Sequence, residues 1–513
     1  MKTPTVLPEQ ERNRRLRRVD WRFLLCNAGP ARVLCSDDDL RRSCELIAGC
    51  VDATPNGDES YDLVVLVSIT DASLASAFVQ LKPGGEIYCE FHDSTPTEAM
   101  GHVERAGFTN ARCYLPWPAP PDAEVWVPLA APQVFDYYER VDRHVYSGLR
   151  HRLGTRVRRT RARKQISRAA TNPICVVAQK PSSTGASSDA PIVVAALREA
   201  RVERQAIALA LMTGGPRSIS KVVGLGFVGE SRDPVFAIKW PRVAESEPGL
   251  RREADALTAS HARGPAPGVP RLLARVDGRS PIAIAESAER GMPIFPRLTN
   301  RNVESLTRLG ATWLSDFNAR ERGPLMDSAT TRELASREIQ RFAETFGALI
   351  DRDSLDHTSR LCDQLGEIPS VIEHRDFGPW NLFLDDTRRI TVLDWESSRV
   401  RGLPLLDLIY FITYMAFFVD GAMVTRKFEE SYRNTLDTRT GMGALRQELV
   451  EQHREQLGLS TAAVRALRAL CWIGHAESEF QAFSADAGGP PSEAALRTGV
   501  FARLWALEAA DLR

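Results

Sequence analysis

The sequence predicts an α/β domain followed by an α+β unit, the latter made of a β-rich lobe and then a helical lobe. Three observations carry that prediction. Up to about residue 180, short β-rich runs alternate with helical ones. The stretch Pro181–Pro191 (PSSTGASSDAP) is small and polar with no apolar period, and it reads as a linker. Beyond it, hairpin patterns dominate to about Ile294 and amphipathic helical patterns from Val303, apart from short strands near residues 382 and 392. The expected organisation is therefore 1–180, a linker over 181–200, a β-rich lobe over 201–290 and a helical lobe over 291–513.

In the first part, Ala31–Cys35 (ARVLC) and Asp62–Val67 (DLVVLV) are the apolar runs expected of strands buried on both faces. Leu74–Leu81 has helical spacing, Lys82-Pro83-Gly84-Gly85 reads as a turn, and Glu86–Phe91 as a strand. A helix ending near Gly107 and the strand Ile174–Gln179 close the set. Between Val141 and Thr171 the pattern breaks into a basic insertion, dense in arginine from Arg150 to Arg168. That run reads as a solvated face or as a peripheral contact for an anionic membrane surface or polyanion.

The 513 residues balance 66 Lys+Arg against 66 Asp+Glu. A hydrophobic fraction of 43% with 26% charged residues excludes a mainly disordered, collagenous or disulfide-scaffold chain. The zero net charge argues against a general nucleic-acid coat, and no nucleic-acid partner is expected. The basic start of the chain lacks an apolar stretch, so no signal peptide is read. The longest strongly apolar run, Leu408–Val419, is too short to cross a bilayer and reads as a buried helix. Nine cysteines occur without a CxxC pair. Reduced thiols in a cytoplasmic protein are the simplest reading.

Chemistry concentrates after the linker. Gly224, Gly226 and Gly229 form a GxGxxG run that leads through Ser231-Arg-Asp-Pro234 into Val235–Lys239, that is, strand, glycine turn, strand. A dinucleotide site would need a helix after the glycines. A glycine turn between two strands instead lets backbone N–H groups approach a triphosphate. Lys239 ends the second strand, and Glu253 follows on a helical pattern, so a carboxylate could aim the ammonium. The segment Val371–Asn381 (VIEHRDFGPWN) sets His374 two residues before Asp376, with Asn381 beyond. One carboxylate there can take a proton from a hydroxyl while an amide oxygen holds a metal. A short apolar strand, Ile390–Leu393, then delivers Asp394, and a carboxylate near an Asn suits Mg²⁺.

Taken in order, these elements resemble the protein-kinase-like fold, most closely its aminoglycoside phosphotransferase and choline kinase branch, over about residues 215–415. The resemblance implies a bilobal domain using ATP and Mg²⁺. It implies that Lys239 binds the α/β-phosphates, that Glu253 orients Lys239, and that Asp376 is the catalytic base. It further implies that Asn381 and Asp394 bind Mg²⁺ and that His374 supports the catalytic loop. Backbone groups from Glu286 to Ala288 would face adenine in the hinge. Asp394 is followed by Trp395-Glu396, and Asp407 follows too soon for a long activation segment, which favours small-molecule over protein acceptors. Asp407 would anchor the catalytic loop. Glu429, Glu430, Glu477 and Glu479 are candidates to meet a cationic acceptor, or simply a solvated helix face.

The first domain resembles part of the class I S-adenosylmethionine-dependent methyltransferases, a partial Rossmann-like fold, through Tyr61–Val67, Leu81–Tyr88 and Ala106-Gly107-Phe108. It departs from them after Cys35, where Ser36-Asp-Asp-Asp-Leu40 replaces the glycine-rich cofactor loop. A scaffold or binding module that has lost methyl transfer is the expectation. The expected function is an ATP- and Mg²⁺-dependent kinase for a hydroxyl of a sugar, aminocyclitol or amino alcohol. The alternative is a non-catalytic nucleotide-binding regulatory or scaffold protein built from a pseudokinase and a degenerate methyltransferase domain. A two-step enzyme that methylates and phosphorylates a glycan is disfavoured by the missing glycine loop.

Overall fold

A computed structural model describes residues 7–56, 60–131, 133, 134, 136, 137, 140, 173–182, 189–202, 207–277, 281–487 and 489–513. The basic insertion at 141–171 and the 183–188 part of the linker lie outside the described residues. The chain divides into two compact units, Met1–Leu250 with Arg271–Glu289, and Arg251–Pro270 with Arg290–Arg513.

The first unit is built on one sheet. Its strands are β1 (Arg32–Cys35), β2 (Cys50–Asp52), β3 (Tyr61–Leu66), β4 (Leu81–Phe91), β5 (Thr109–Trp117) and β6 (Val125–Pro128). They continue as β7 (Ile174–Gln179), β8 (Ile207–Met212), β9 (Val222–Val228), β10 (Phe236–Trp240), β11 (Leu272–Val276) and β12 (Ala283–Ser287). Their order is β11-β12-β10-β9-β8-β6-β5-β7-β4-β3-β1-β2. From β2 to β4 the neighbours run parallel, as the alternating sequence pattern requires, and β7 pairs antiparallel between β4 and β5. The expected turn at 82–85 is a register shift within β4, with Gly84 at φ 79°. Two helices beside these strands start on reciprocal caps, Thr70 with Ser73 and Thr95 with Glu98.

The sequence places a boundary at the 181–200 linker, yet the sheet continues across it. Pro191–Glu199 is a helix, started by Pro191 at its first turn. Strand β6, buried along its whole length, pairs with β8, Val125 opposite Met212 and Trp126 opposite Leu211. Left alone, β6 and β8 would each present unpaired backbone groups along an apolar edge. Polar contacts reinforce the join. Arg242, after β10, meets Asp20 at 2.9 Å with both side chains withdrawn from water, and its remaining donors reach Asn13, Thr213 and Arg217. The physical reason for the difference is that linker composition reports local chain chemistry, whereas strand pairing is non-local.

The second unit is helical apart from one small three-stranded sheet and two short strand pairs among the described residues. Its main helices are Val303–Arg320, Ser328–Phe346, Arg352–Cys362, Leu406–Val419, Gly441–Leu457, Thr461–Ala487 and Phe501–Asp511. The apolar run at Leu408–Val419 falls in a buried helix, as its composition requires. No helix among the described residues is long and apolar enough to cross a membrane. The strands Leu382–Leu384 and Ile390–Val392 pair antiparallel and carry Asn381 and Asp394 near their ends.

Candidate functional site

In the first unit the three glycines divide into two kinds. Gly224 and Gly226 are strand residues of β9, opposite Ile238 and Phe236 of β10. A Cβ on Gly226 would stand 2.2 Å from the Phe236 ring, and one on Gly224 would stand 2.7 Å from the Trp240 ring. Both rings are buried in the apolar core. These glycines are therefore spacers that let aromatic rings lie across the hairpin. Gly229 alone stands at the turn, at φ 54° with open space around it. The turn is tied internally by Ser231, whose N–H donates to Val228 O at 3.0 Å and whose hydroxyl donates to Asp233 O at 2.7 Å.

Lys239 lies on β10 with Glu286 on β12. Ala237 faces Glu286 in register, so Lys239 and Glu286 are diagonal neighbours on one sheet face. Lys239 Nζ meets Glu286 Oε1 at 2.7 Å, and both side chains are almost wholly buried. The side chain of Glu286 thus holds the lysine. At the expected hinge, the N–H of Ala288 donates to Val235 O at 3.1 Å and that of Ser287 to Arg271 O at 2.9 Å.

In the second unit the catalytic-loop expectation takes concrete form. His374 Nε2 donates to Leu393 O at 3.0 Å, and its Nδ1 accepts the N–H of Asp376 at 3.2 Å. A carbonyl can only accept, so the tautomer is fixed with the proton on Nε2. Both ring nitrogens are engaged in shaping the loop, which gives His374 the supporting part. Asp407 accepts the N–H of His374 at 2.6 Å and that of Arg375 at 2.7 Å. It anchors the turn in which Arg375 adopts φ 65°.

Asp376 sits at the focus of this loop. It accepts from Asn381 Nδ2 at 2.9 Å, Trp380 Nε1 at 3.3 Å and the Tyr410 hydroxyl at 3.1 Å. Burial, followed by the charge of nearby Asp394, pushes its carboxyl up to about 7. Asn381 spends its amide nitrogen on Asp376, which leaves its oxygen as the atom a cation would meet. Asp394 occupies the left-handed region at φ 70°, directly before Trp395, whose N–H donates to Glu253 Oε1 at 3.2 Å. Glu253, fully buried, therefore carries a task that sequence reading did not give it, namely fixing the backbone beside Asp394.

Mg²⁺ can be tested against these residues. The charge of Asp394 raises the cost of ionising Asp376, and the donors present, two carboxylates and an amide oxygen, are hard oxygens. The residues fit a divalent cation held by Asn381 and Asp394. No cluster of three or more His, Cys, Asp or Glu residues with metal-binding geometry occurs among the described residues, so a cation here would draw its remaining ligands from elsewhere.

Two residues escaped sequence reading. Tyr410 lies one helical turn after Asp407, so both point at the catalytic loop from one helix, and that spacing was the available signal. Trp380 sits inside the motif itself. Together with Tyr414 and Phe418 it makes an aromatic wall, Trp380 meeting Tyr414 at 4.8 Å and Phe418 at 6.2 Å between ring centroids. The acidic candidates are engaged elsewhere. Glu429 pairs with Arg503 at 2.6 Å and Glu430 with Lys427 at 3.2 Å. Glu477 accepts from Gln481 at 2.9 Å, and Glu479 from the N–H groups of Val500 at 2.8 Å and Phe501 at 3.3 Å.

Among solved structures, aminoglycoside 2'-phosphotransferase-IIIa in its GDP complex is similar at 11% identity, with 62% of this chain and 97% of that chain covered and a TM-score of 0.35. Macrolide 2'-phosphotransferase MphH from Brachybacterium faecium is similar at 15% identity, covering 63% and 97%, with a TM-score of 0.33. Aminoglycoside phosphotransferase APH(3'')-Id from Streptomyces rimosus is similar at 15% identity, covering 48% and 89%, with a TM-score of 0.30. Likenesses of that size carry no weight here. No curated protein matches the chain. Residues 227–449, from inside β9 after Gly226 through Gly229, Lys239, Glu253 and the His374–Asn381 loop, match the family described as phosphotransferase enzyme family.

Proposed function

We propose that the chain transfers the γ-phosphoryl group of ATP to a hydroxyl of a small molecule such as a sugar, aminocyclitol or amino alcohol. The observation that carries this reading is Asp376. Its carboxyl is held by three donors, lies beside Asp394, and has its pKa brought up to about 7, where a general base works best near neutral pH. The family match over residues 227–449 supports a phosphotransferase and leaves the acceptor open.

Asp376 takes the proton of the acceptor hydroxyl as its oxygen bonds to the γ-phosphorus and the bond to the β–γ bridging oxygen breaks. Lys239, steadied by Glu286, supplies positive charge to the phosphates. Tyr410 and Asn381 keep the Asp376 carboxylate oriented, and His374 with Asp407 keeps its backbone in place. Bound Mg²⁺ would neutralise phosphate charge, held by Asn381 and Asp394. The wall of Trp380, Tyr414 and Phe418 supports an acceptor that presents a ring face beside its hydroxyl. The parallel strands β1 to β4 with antiparallel β7 support a partial Rossmann-like reading of the first sheet half, serving as scaffold.

The test is an acceptor panel read by ATP consumption, with Asp376→Asn as control. Turnover with at least one alcohol that falls at least about 10²-fold in the variant supports the proposal. Equal turnover in the variant removes Asp376 as the base, and no turnover with any acceptor despite ATP binding favours the non-catalytic alternative.

A further inference from the structure

The proposed phosphate turn, residues 229–233, is held from outside its own hairpin. Gln133 Nε2 donates to the carbonyl of Gly229 at 2.8 Å. Arg140 Nη2 donates to the carbonyl of Arg232 at 2.7 Å and to Asp233 Oδ1 at 2.8 Å. Between them, the Tyr137 ring meets Phe227 edge-on at 5.5 Å, and the Arg140 guanidinium lies 5.5 Å from the centre of the Tyr137 ring. Gln133, Tyr137 and Arg140 each have helical backbone. Val134 belongs to the same apolar cluster as Phe227, Val125 and Leu115.

We infer that Gln133, Tyr137 and Arg140 are positioning residues for nucleotide binding, through which the N-terminal α/β layer sets the shape and charge of the phosphate turn. The inference rests on the kinase reading above. Two physical effects carry it. A trans peptide is planar, so holding the Gly229 carbonyl fixes the opposite direction for the N–H of Glu230, a donor suited to phosphate oxygen. Asp233 would repel a triphosphate, and the Arg140 guanidinium beside it cancels that charge. The Arg140–Asp233 pair is about half exposed on both sides, so it adds little to folding stability. A change in nucleotide affinity on its removal would therefore report position and charge.

The experiment measures the Kd of Mg·ATP by titration calorimetry on the full chain, for the wild type and for Gln133→Ala, Arg140→Ala and Arg140→Lys, with Tm recorded for each. Steady-state kinetics on any acceptor found then separates KM for ATP from kcat. Arg140→Ala and Gln133→Ala are expected to weaken Mg·ATP by about fivefold each, with Tm unchanged within about 1 °C and kcat within about twofold. Arg140→Lys, which keeps the charge and loses the fork, is expected to recover part of the affinity. Wild-type affinity in both alanine variants would overturn the inference while leaving the kinase reading intact. A wild-type chain that binds no Mg·ATP would overturn both.

Discussion

Lys239 and Glu286 form a 2.7 Å ion pair between adjacent antiparallel strands, with both side chains almost wholly withdrawn from water. Removing one member of such a pair leaves the other charge in a low-dielectric setting, which costs more than the pair contributes. Lys239→Ala is expected to destabilise the chain by about 3 kcal/mol and to abolish turnover. Lys239→Met combined with Glu286→Leu is expected to regain most of that stability without activity. Denaturant midpoints for the three proteins check the first expectation, and ATP-consumption assays the second.

Asp376 predicts two opposite pH effects. A base must be ionised to accept a proton, so kcat/KM should rise with pH and level off above about 7. Stability moves the other way. The folded carboxyl holds its proton to about 7 against an ordinary 3.8, so its contribution is intact below about 4 and is lost as pH rises through 7. Asp376→Asn keeps the shape, and its amide can still satisfy Asn381, Trp380 and Tyr410. The variant is expected to gain roughly 2–4 °C in Tm at pH 8 and nothing comparable at pH 4. Thermal melts at both pH values check this.

The glycines separate packing from turn geometry. Gly226→Ala drives a methyl into the Phe236 ring and should cost about 1–3 kcal/mol. Gly229→Ala meets no atom within 4 Å and has only its positive φ to accommodate, at about 1 kcal/mol. Urea midpoints should therefore fall further for Gly226→Ala. The reverse ranking would show that Gly226 is not a spacer.

Cutting the chain at the linker should fail. A fragment starting at residue 190 loses β6, the partner of β8, and loses Asp20 and Asn13, which satisfy the buried Arg242. That fragment is expected to be aggregated or unfolded by size-exclusion chromatography and circular dichroism, whereas the full chain elutes as a folded species. A monodisperse, cooperatively melting fragment would contradict the structural continuity of the sheet.

The catalytic loop was legible because its chemistry is local. His374, Asp376 and Asn381 stand on one short loop, and Asp394 follows on the next strand, so residue types and spacing already restrict what they can do. Asp407, on a later helix, was legible only through the family resemblance. The alternation of β-rich and helical runs likewise points to β1, β3 and the second half of β4, since apolar periodicity is a short-range signal, whereas the short β2 was not read from it.

Non-local pairing lay beyond that reach. That Glu286 meets Lys239 depends on the register of β10 against β12, and a lysine shows nothing of that register in its own neighbourhood. Gly224 and Gly226 read as parts of a phosphate loop, and nothing in the sequence shows that Phe236 and Trp240 also lie across them. The linker looks like a boundary until β6 and β8 pair over it. In each case residue chemistry set what a group can do, and the fold chose its partner, because sheet hydrogen bonds and ring packing join segments far apart in the chain.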